Sequence, residues 1–227
     1  MEIETNETGN ASVNIEWSHV RSVVDSYYDL QRLRIAVEHR IRKLTERGIA
    51  ADVHGTELTQ LHRTLEHEES SLVVSLDTAT KDHPMRLWLR GQRGIGPVLS
   101  AGLLAYFDPA RAPHISSFWK FAGMSPDAKL EKGKKAQYSQ GAKVLCWKVG
   151  HSFIMSSNPE YTLIYRQKKE ELMKRDKMTK GHAHNYAARV MVKRFLADFW
   201  MQWRKMEGLP VDEPYAIAIL NHTKQED

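Results

Sequence analysis

The chain has 227 residues, of which 41% are hydrophobic and 27% charged, and its formal net charge is +5. This composition allows one or two packed domains and excludes a chain that is disordered throughout. No run of about 18 apolar residues occurs and the N-terminal segment is acidic, so we expect a cytoplasmic protein with no membrane span, no membrane partner and no export signal.

The positive charge is concentrated in the C-terminal part of the chain. Residues 1–90 carry 11 Lys and Arg against 15 Asp and Glu, a net charge of −4. The remaining residues carry a net charge of +9. Such asymmetry is typical of a basic nucleic-acid-binding domain joined to a neutral or acidic assembly domain. A basic surface that serves only solubility is the alternative.

The N-terminal part predicts a disordered tail over residues 1–16 and a pair of long amphipathic helices over residues 17–84. Apolar residues recur at helical spacing on both sides of a break at 48–55, at Leu30, Leu33, Val37, Ile41, Leu44, Leu58, Leu61, Leu65, Leu72, Leu76 and Ala79. We expect an antiparallel coiled-coil arm that forms a homodimer or a higher even oligomer. Alternatively, the apolar seam packs on the basic half of the same chain. Glu66, Glu68 and Glu69 predict a solvated helix face.

Residues 85–106 predict a helix-hairpin-helix. Met85–Gln92 reads as a short helix, Gly94 and Gly96 predict a tight turn, and Pro97 suits the first position of the next helix. The amides at that helix start favour an anion. We therefore expect Arg93, Gly94, Ile95 and Gly96 to contact DNA phosphates without reading bases. A helix–helix corner in which the glycines serve only close packing is the alternative.

A lysine-rich loop follows a short helix over residues 115–123. Its lysines are Lys129, Lys132, Lys134 and Lys135, placed around Gly133. Lysines in a loop of this kind can lie against phosphates, and we include Lys143 in the same predicted DNA-binding set. A solvated surface loop is the alternative.

Two further helical segments follow. Residues 141–157 predict an apolar core helix, in which Cys146 is a buried small hydrophobe, because the sequence gives a catalytic thiol no local support. The segment from Tyr161 to Lys180 predicts a basic helix and a second DNA-binding track, composed of Arg166, Lys168, Lys169, Lys174 and Arg175.

The last helix is predicted from Asn185 to about Glu207, with its Met and aromatic stripe in the core. His182 and His184 precede it. No Cys or carboxylate has ligand spacing nearby, so we expect these histidines to cap the helix or contact phosphate rather than bind zinc. No metal or cofactor is predicted. Residues 85–220 are expected to form one basic domain, and residues 221–227 a tail.

Six motifs follow one another along the C-terminal part of the chain: Arg93-Gly-Ile-Gly-Pro97, Phe118-Trp-Lys-Phe-Ala-Gly-Met124, Leu145-Cys-Trp-Lys-Val-Gly150, Gly181-His-Ala-His184, Arg189-Val-Met-Val-Lys-Arg-Phe-Leu196 and Glu207-Gly-Leu-Pro210. In this order they resemble one family, the DEDD transposases of insertion sequences that move under a bridge RNA. The resemblance covers roughly residues 85–220, and the two-helix segment resembles the family's coiled coil. It implies an N-terminal ribonuclease-H-like domain with four catalytic acids, a coiled coil that assembles protomers, and a C-terminal nucleophilic serine.

The sequence departs from this pattern at both chemical points. It begins about sixteen residues before the coiled-coil segment, so the acidic domain is expected to be absent, and with it two-metal chemistry. The loop that holds the family's serine reads Ala128-Lys-Leu-Glu-Lys-Gly-Lys-Lys135 and lacks serine. Ser125 and Ser139 flank the loop, and neither has a recognisable activating group.

The resulting hypothesis is a mainly α-helical, non-catalytic protein that binds duplex or junction DNA as a dimer and associates with the nucleoid. One rival is a recombinase subunit that uses Ser125 or Ser139 with a catalytic domain supplied in trans. A second is a structured-RNA binder in which Trp119 and Tyr138 stack on unpaired bases. A third is a scaffold whose basic half pairs with an acidic protein surface.

Overall fold

The computed structural model describes residues 16–48, 55–125, 128, 132–175 and 178–211. Every regular element in these ranges is an α-helix, which confirms the mainly helical fold class. The described helices are α1 (Trp17–Glu46), α2 (Gly55–Ala79), α3 (Met85–Gly91), α4 (Pro97–Tyr106), α5 (Ile115–Phe121), α6 (Gln140–Ser156), α7 (Tyr161–Met173) and α8 (Lys180–Met206). None of them combines the length and the apolar character needed to cross a membrane. The predicted terminal tails, apart from Glu16, lie outside the described residues.

Helices α1 and α2 lie side by side and run antiparallel. Val24 near the start of α1 clusters with Leu76 near the end of α2, and farther along α1 the Arg34 Nε donates to Glu69 Oε1 at 2.6 Å. The prediction of a solvated Glu69 is wrong, because this residue is only 7% exposed and faces α1. Arg34 supplies the opposite charge that a buried carboxylate needs.

One end of this two-helix hairpin packs against α4. Val20, Val24 and Leu76 form a core cluster with Val98, Ala101 and Ala105. The Tyr106 hydroxyl donates to Asp25 Oδ1 at 2.9 Å across the same junction. Part of the apolar seam therefore packs on the same chain, as the alternative interpretation expects.

The main core is built around α8. Phe195, Phe199 and Trp203 are at most 5% exposed. The Trp88 ring of α3 stacks with that of Phe195, and the Phe153 ring of α6 meets Phe195 edge-on. Aromatic pairs at these angles bury a large apolar area and hold α3, α6 and α8 together. The aromatic stripe of the last helix is thus confirmed as core.

The boundary between α7 and α8 differs from the prediction. Helix α7 ends at Met173 rather than at Lys180, and α8 already begins at Lys180 rather than at Asn185. The Thr179 hydroxyl caps α8 by accepting the N–H of His182 at 3.2 Å, and a threonine cap of this kind stabilises a helix start. His182 and His184 therefore lie inside the first turns of α8, where neither caps a helix at Asn185.

His83 connects the hairpin to the main core. Its ring lies edge-on to Trp17 of α1 and to Trp203 of α8, with centroids 5.4 Å away in both cases. Its Nδ1 accepts the N–H of Met85 at 3.2 Å. Burial lowers the pKa of His83, because desolvation disfavours the charged imidazolium.

Candidate nucleic-acid interface

The turn between α3 and α4 contains four of the predicted phosphate-contacting residues. Gly94 has a φ of +103°, a conformation that strongly favours glycine. Gly96 is extended and precedes Pro97, and no side chain within the described residues caps α4. The first N–H groups of α4 are therefore without a side-chain acceptor. The amide of Ile95, in contrast, donates to Gln92 O at 2.9 Å, and the Ile95 side chain is buried.

The end of α6 holds this turn in place. Ser152 Oγ donates to Gly94 O at 2.6 Å, and Asn158 Nδ2 donates to Arg93 O at 2.9 Å. A Cβ atom at Gly94 would lie 2.6 Å from Ser156 Oγ. The carbonyls of the turn are thus bound to α6 and its C-terminal residues, while the Arg93 side chain is exposed to solvent.

The lysine loop leads into the opposite end of α6. Lys132, Lys134 and Lys135 are exposed, and Lys129 lies outside the described residues. Ser139 begins the helix, its Oγ accepting the N–H of Ala142 at 3.2 Å. In the first turn of α6, Lys143 donates from Nζ to the Tyr138 hydroxyl at 3.1 Å. This hydrogen bond lowers the pKa of Tyr138 below that of an ordinary phenol.

Helix α6 thus separates two of the predicted phosphate contacts. The lysine loop precedes its start, and the Arg93 turn packs against its last turns. With 17 residues in α6, the two ends are about 24 Å apart at the usual helical rise. That distance is about two thirds of one turn of B-DNA.

The second basic track, on α7, is largely neutralised by acids of the same segment. Lys168 and Arg175 each lie 2.6 Å from a Glu171 oxygen, and Lys174 lies 3.2 Å from Glu170. The Lys168 ammonium lowers the pKa of Glu171 by donating a hydrogen bond to it. The exposed Arg166 has no such ion pair among the described residues. Sequence reasoning counted the cations here but not their pairing, although the three- and four-residue spacing of these pairs on a helix indicates it.

The structure also forms a groove between α6 and α8 that sequence reasoning missed. Lys143, Trp147 and His151 line it from α6, and His184, Asn185 and Arg189 line it from α8. The sequence predicts residues 141–157 as a core helix, and this prediction is wrong for Trp147, which is 62% exposed. A usable signal was present, because Lys143, Trp147 and His151 recur every four residues and therefore share one helix face.

Side chains from α7 orient one wall of this groove. Lys169 Nζ donates to the Tyr165 hydroxyl at 3.0 Å, and that hydroxyl lies 2.7 Å from His184 Nδ1. Lys169 therefore belongs to the support of the groove, although it was predicted as a phosphate contact. No group of three metal-ligating side chains occurs within the described ranges.

The floor of the groove is apolar. Cys146, 1% exposed, lies there, which confirms it as a buried small hydrophobe. Burial raises the pKa of its thiol far above the ordinary value. At Gly150 a Cβ atom would lie 2.8 Å from Val192 Cγ2, so this glycine lets α6 and α8 approach closely.

The other residues of the rival hypotheses have structural partners. Ser139 is the helix cap described above. The Trp119 Nε1 donates to Lys193 O at 3.1 Å, and the Lys193 ammonium lies 4.0 Å from the Trp119 ring centroid. Tyr138 packs on Gly123, whose φ is +64°. Ser125 is half-buried just after α5. Trp147, rather than Trp119 or Tyr138, is thus the most exposed of these three aromatic rings.

Comparisons with protein-family models and with curated proteins gave no match to this chain.

Proposed function

We propose that this chain is a non-catalytic DNA-binding protein that contacts backbone phosphates largely independently of base sequence. The observation that carries the proposal is the distribution of exposed cations about α6. Arg93 lies at one end and Lys132 and Lys135 precede the other, while the exposed Arg189 and the half-buried Lys143 line the groove beside it. Lysine and arginine contacts of this kind supply the sequence-independent part of DNA affinity.

The distance between the two ends of α6 suits a duplex. The ends of α6 are about 24 Å apart, which is less than one turn of B-DNA, so a single duplex can reach cations at both ends. The half-buried start of α4 at Gly96 and Pro97 adds backbone amides near Arg93. The α7 cations contribute less to the proposed interface, because Glu170 and Glu171 neutralise part of their charge.

The motifs that resemble DEDD transposases support DNA as the ligand, because transposases act on DNA. The proposal treats the chain as derived from such a protein and without nuclease activity of its own. The absence of nuclease activity is supported by Ser139, because its hydroxyl caps α6 by accepting the Ala142 N–H. A nucleophile needs an activating base within hydrogen-bond reach.

We also propose that the α1–α2 arm forms a homodimer. Leu33 and Leu61, two residues of the predicted apolar seam, are 43% and 41% exposed, and the neighbouring Ile35 is 41% exposed. A second copy would remove this apolar surface from water. Dimerisation would bring two DNA-binding surfaces into one particle, which suits bridging or compaction of DNA.

The experiment is fluorescence anisotropy of labelled duplexes of unrelated sequence with two charge-reversed variants. Arg93→Glu and the double variant Lys132→Glu with Lys135→Glu change opposite ends of α6. Each is expected to weaken binding to all sequences alike and to reduce the salt slope by about one per lost contact. Lys81→Glu, exposed in the acidic half of the chain, is the matched control and should bind as wild type. Equal affinity of all four proteins would overturn the proposal.

A further inference from the structure

We propose that the groove between α6 and α8 binds unpaired DNA bases by stacking on Trp147, with Lys143 and Arg189 contacting the flanking phosphates. This inference rests on the proposed DNA-binding function and adds a preference for single-stranded or locally opened DNA. It adds Trp147, His151 and Arg189, which no predicted site included, to Lys143, which was predicted to contact DNA, and His184, which was predicted to cap a helix or contact phosphate.

Trp147 provides the stacking surface. Its side chain is 62% exposed in the middle of α6, whereas Trp200 and Trp203 are at most 5% exposed. The His151 ring stacks on the indole at 5.5 Å between centroids and an interplanar angle of 12°. The His151 ring therefore fixes the orientation of the indole, and 62% of the Trp147 side chain stays accessible to a base. Single-strand-binding proteins use exposed aromatic rings in this way, because every base has a π-face.

The charge of the groove suits a nucleic-acid strand. Lys143 extends from α6 and Arg189 from α8, so a cation lies on each wall. The described lining contains no carboxylate. Arg189 also lies near Lys193, whose pKa is lowered by burial and by the Arg189 charge. A strand phosphate would relieve this repulsion between cations.

The size and floor of the groove suit a flat group. Its volume is about 230 Å³, below the roughly 300–1,000 Å³ of pockets for drug-sized ligands. Cys146 and Val192 form an apolar floor. On the α8 wall, His184 is held by Tyr165, and the neighbouring Asn185 offers a donor and an acceptor for a base edge. Bases within a duplex are stacked on both faces, so this site requires unpaired bases.

The test compares a labelled oligothymidylate with a duplex of the same length, using wild type, Trp147→Ala and Trp147→Phe. Trp147→Ala is expected to weaken single-strand binding by about five-fold or more and to leave duplex binding within about two-fold. Trp147→Phe should retain part of the lost affinity, because phenylalanine still stacks. Met155→Ala, 72% exposed on α6 but outside the groove lining, is the matched control. Thermal unfolding of each variant verifies its folding.

The outcomes separate this inference from the proposed function. If duplex binding is salt-sensitive but Trp147→Ala binds single-stranded DNA as tightly as wild type does, the inference about the groove is overturned and the proposed function is not. Equal losses in Trp147→Ala and Met155→Ala also overturn it, because they indicate general apolar contact along α6. If oligouridylate binds more tightly than oligothymidylate, and its binding depends on Trp147, then the groove binds RNA rather than DNA and the inference is overturned. Absence of binding to duplex and single strand alike contradicts the proposed function itself.

Discussion

The two glycines of the α3–α4 turn have different structural roles. Gly94 combines a φ of +103° with a close approach to Ser156, whereas a Cβ atom at Gly96 would meet no atom within 4 Å. Gly96 also has a φ of −85°, which any L-residue adopts. The turn therefore depends on glycine at only one of these positions.

We accordingly predict that Gly94→Ala destabilises the protein by about 2 kcal/mol or more, because alanine disfavours positive φ and its methyl group collides with Ser156. For a chain of this size, this corresponds to a fall in Tm of about 4–8 °C. The matched variant Gly96→Ala should change Tm little. Calorimetry of both variants decides the matter, and equal Tm values would show that the turn tolerates a side chain at both positions.

Some features of the site could be predicted from the sequence because they depend on the residue type alone. The glycine and proline pattern at 94–97 predicted a turn, because backbone conformation depends on those residue types. Burial of Glu69 had no comparable local signal, and the exposure of Trp147 had only the four-residue spacing that it shares with Lys143 and His151. Each depends on the partner helix, since Arg34 of α1 binds the carboxylate and α8 leaves the indole uncovered. Sequence periodicity gives the face of a helix but not what covers it.

At the scale of elements, the hairpin meets the main core at a titratable residue. His83 lies between Trp17 and Trp203, and its Nδ1 accepts a backbone N–H from the start of α3. Protonation would abolish this acceptor. Because burial lowers the pKa of His83, the unfolded chain binds the proton more tightly than the folded protein does.

His83 should therefore make the folded protein less stable at acidic pH. The stabilisation from neutral His83 is fully present above the ordinary imidazole pKa of about 6.5 and is lost as pH falls through the lower folded-state value. We predict that urea unfolding of wild type shows stability decreasing from pH 8 towards acidic pH, and that His83→Gln shows a smaller decrease. His67→Gln, exposed on α2, should retain the wild-type dependence. Identical pH profiles for all three proteins would contradict this role of His83.

Helix boundaries show a further limit of sequence reasoning. The starts of α3 to α5 and of α7 agree with prediction, since proline or a polar residue marks them. The start of α8 was predicted at Asn185, five residues after its true start at Lys180, and Gly181 lies inside the helix. A glycine costs about 1 kcal/mol inside a helix, and the Thr179 cap and the core packing of α8 outweigh that cost.

The exposed apolar residues of the arm lead to a prediction about assembly. Wild type is expected to sediment as a dimer, and the combined substitution Leu33→Gln with Leu61→Gln to sediment as a monomer with little change in Tm. Leu87→Gln, 77% exposed on α3, is the control and should remain dimeric. A wild-type monomer across the accessible concentration range would exclude the proposed dimer.

At the scale of the whole molecule, apolar packing between helices and exposed positive charge are found in different parts of the chain. Helices α1 and α2, which together carry a net negative charge because of α2, supply apolar surface to each other and to α4, while α6 and its neighbours present exposed cations. Fold class and overall charge asymmetry were accessible from the sequence. The placement of Arg93 and the lysine loop at opposite ends of one helix required the structure, because those residues are about forty positions apart.

The most direct test of DNA binding through phosphates is the affinity of wild type for a labelled duplex as a function of salt concentration. With about four phosphate contacts, the logarithm of the association constant should fall with a slope between −3 and −4, or about 100-fold between roughly 50 and 200 mM salt. Duplexes of unrelated sequence should give the same line. A slope near zero, or no binding at low salt, would contradict the account.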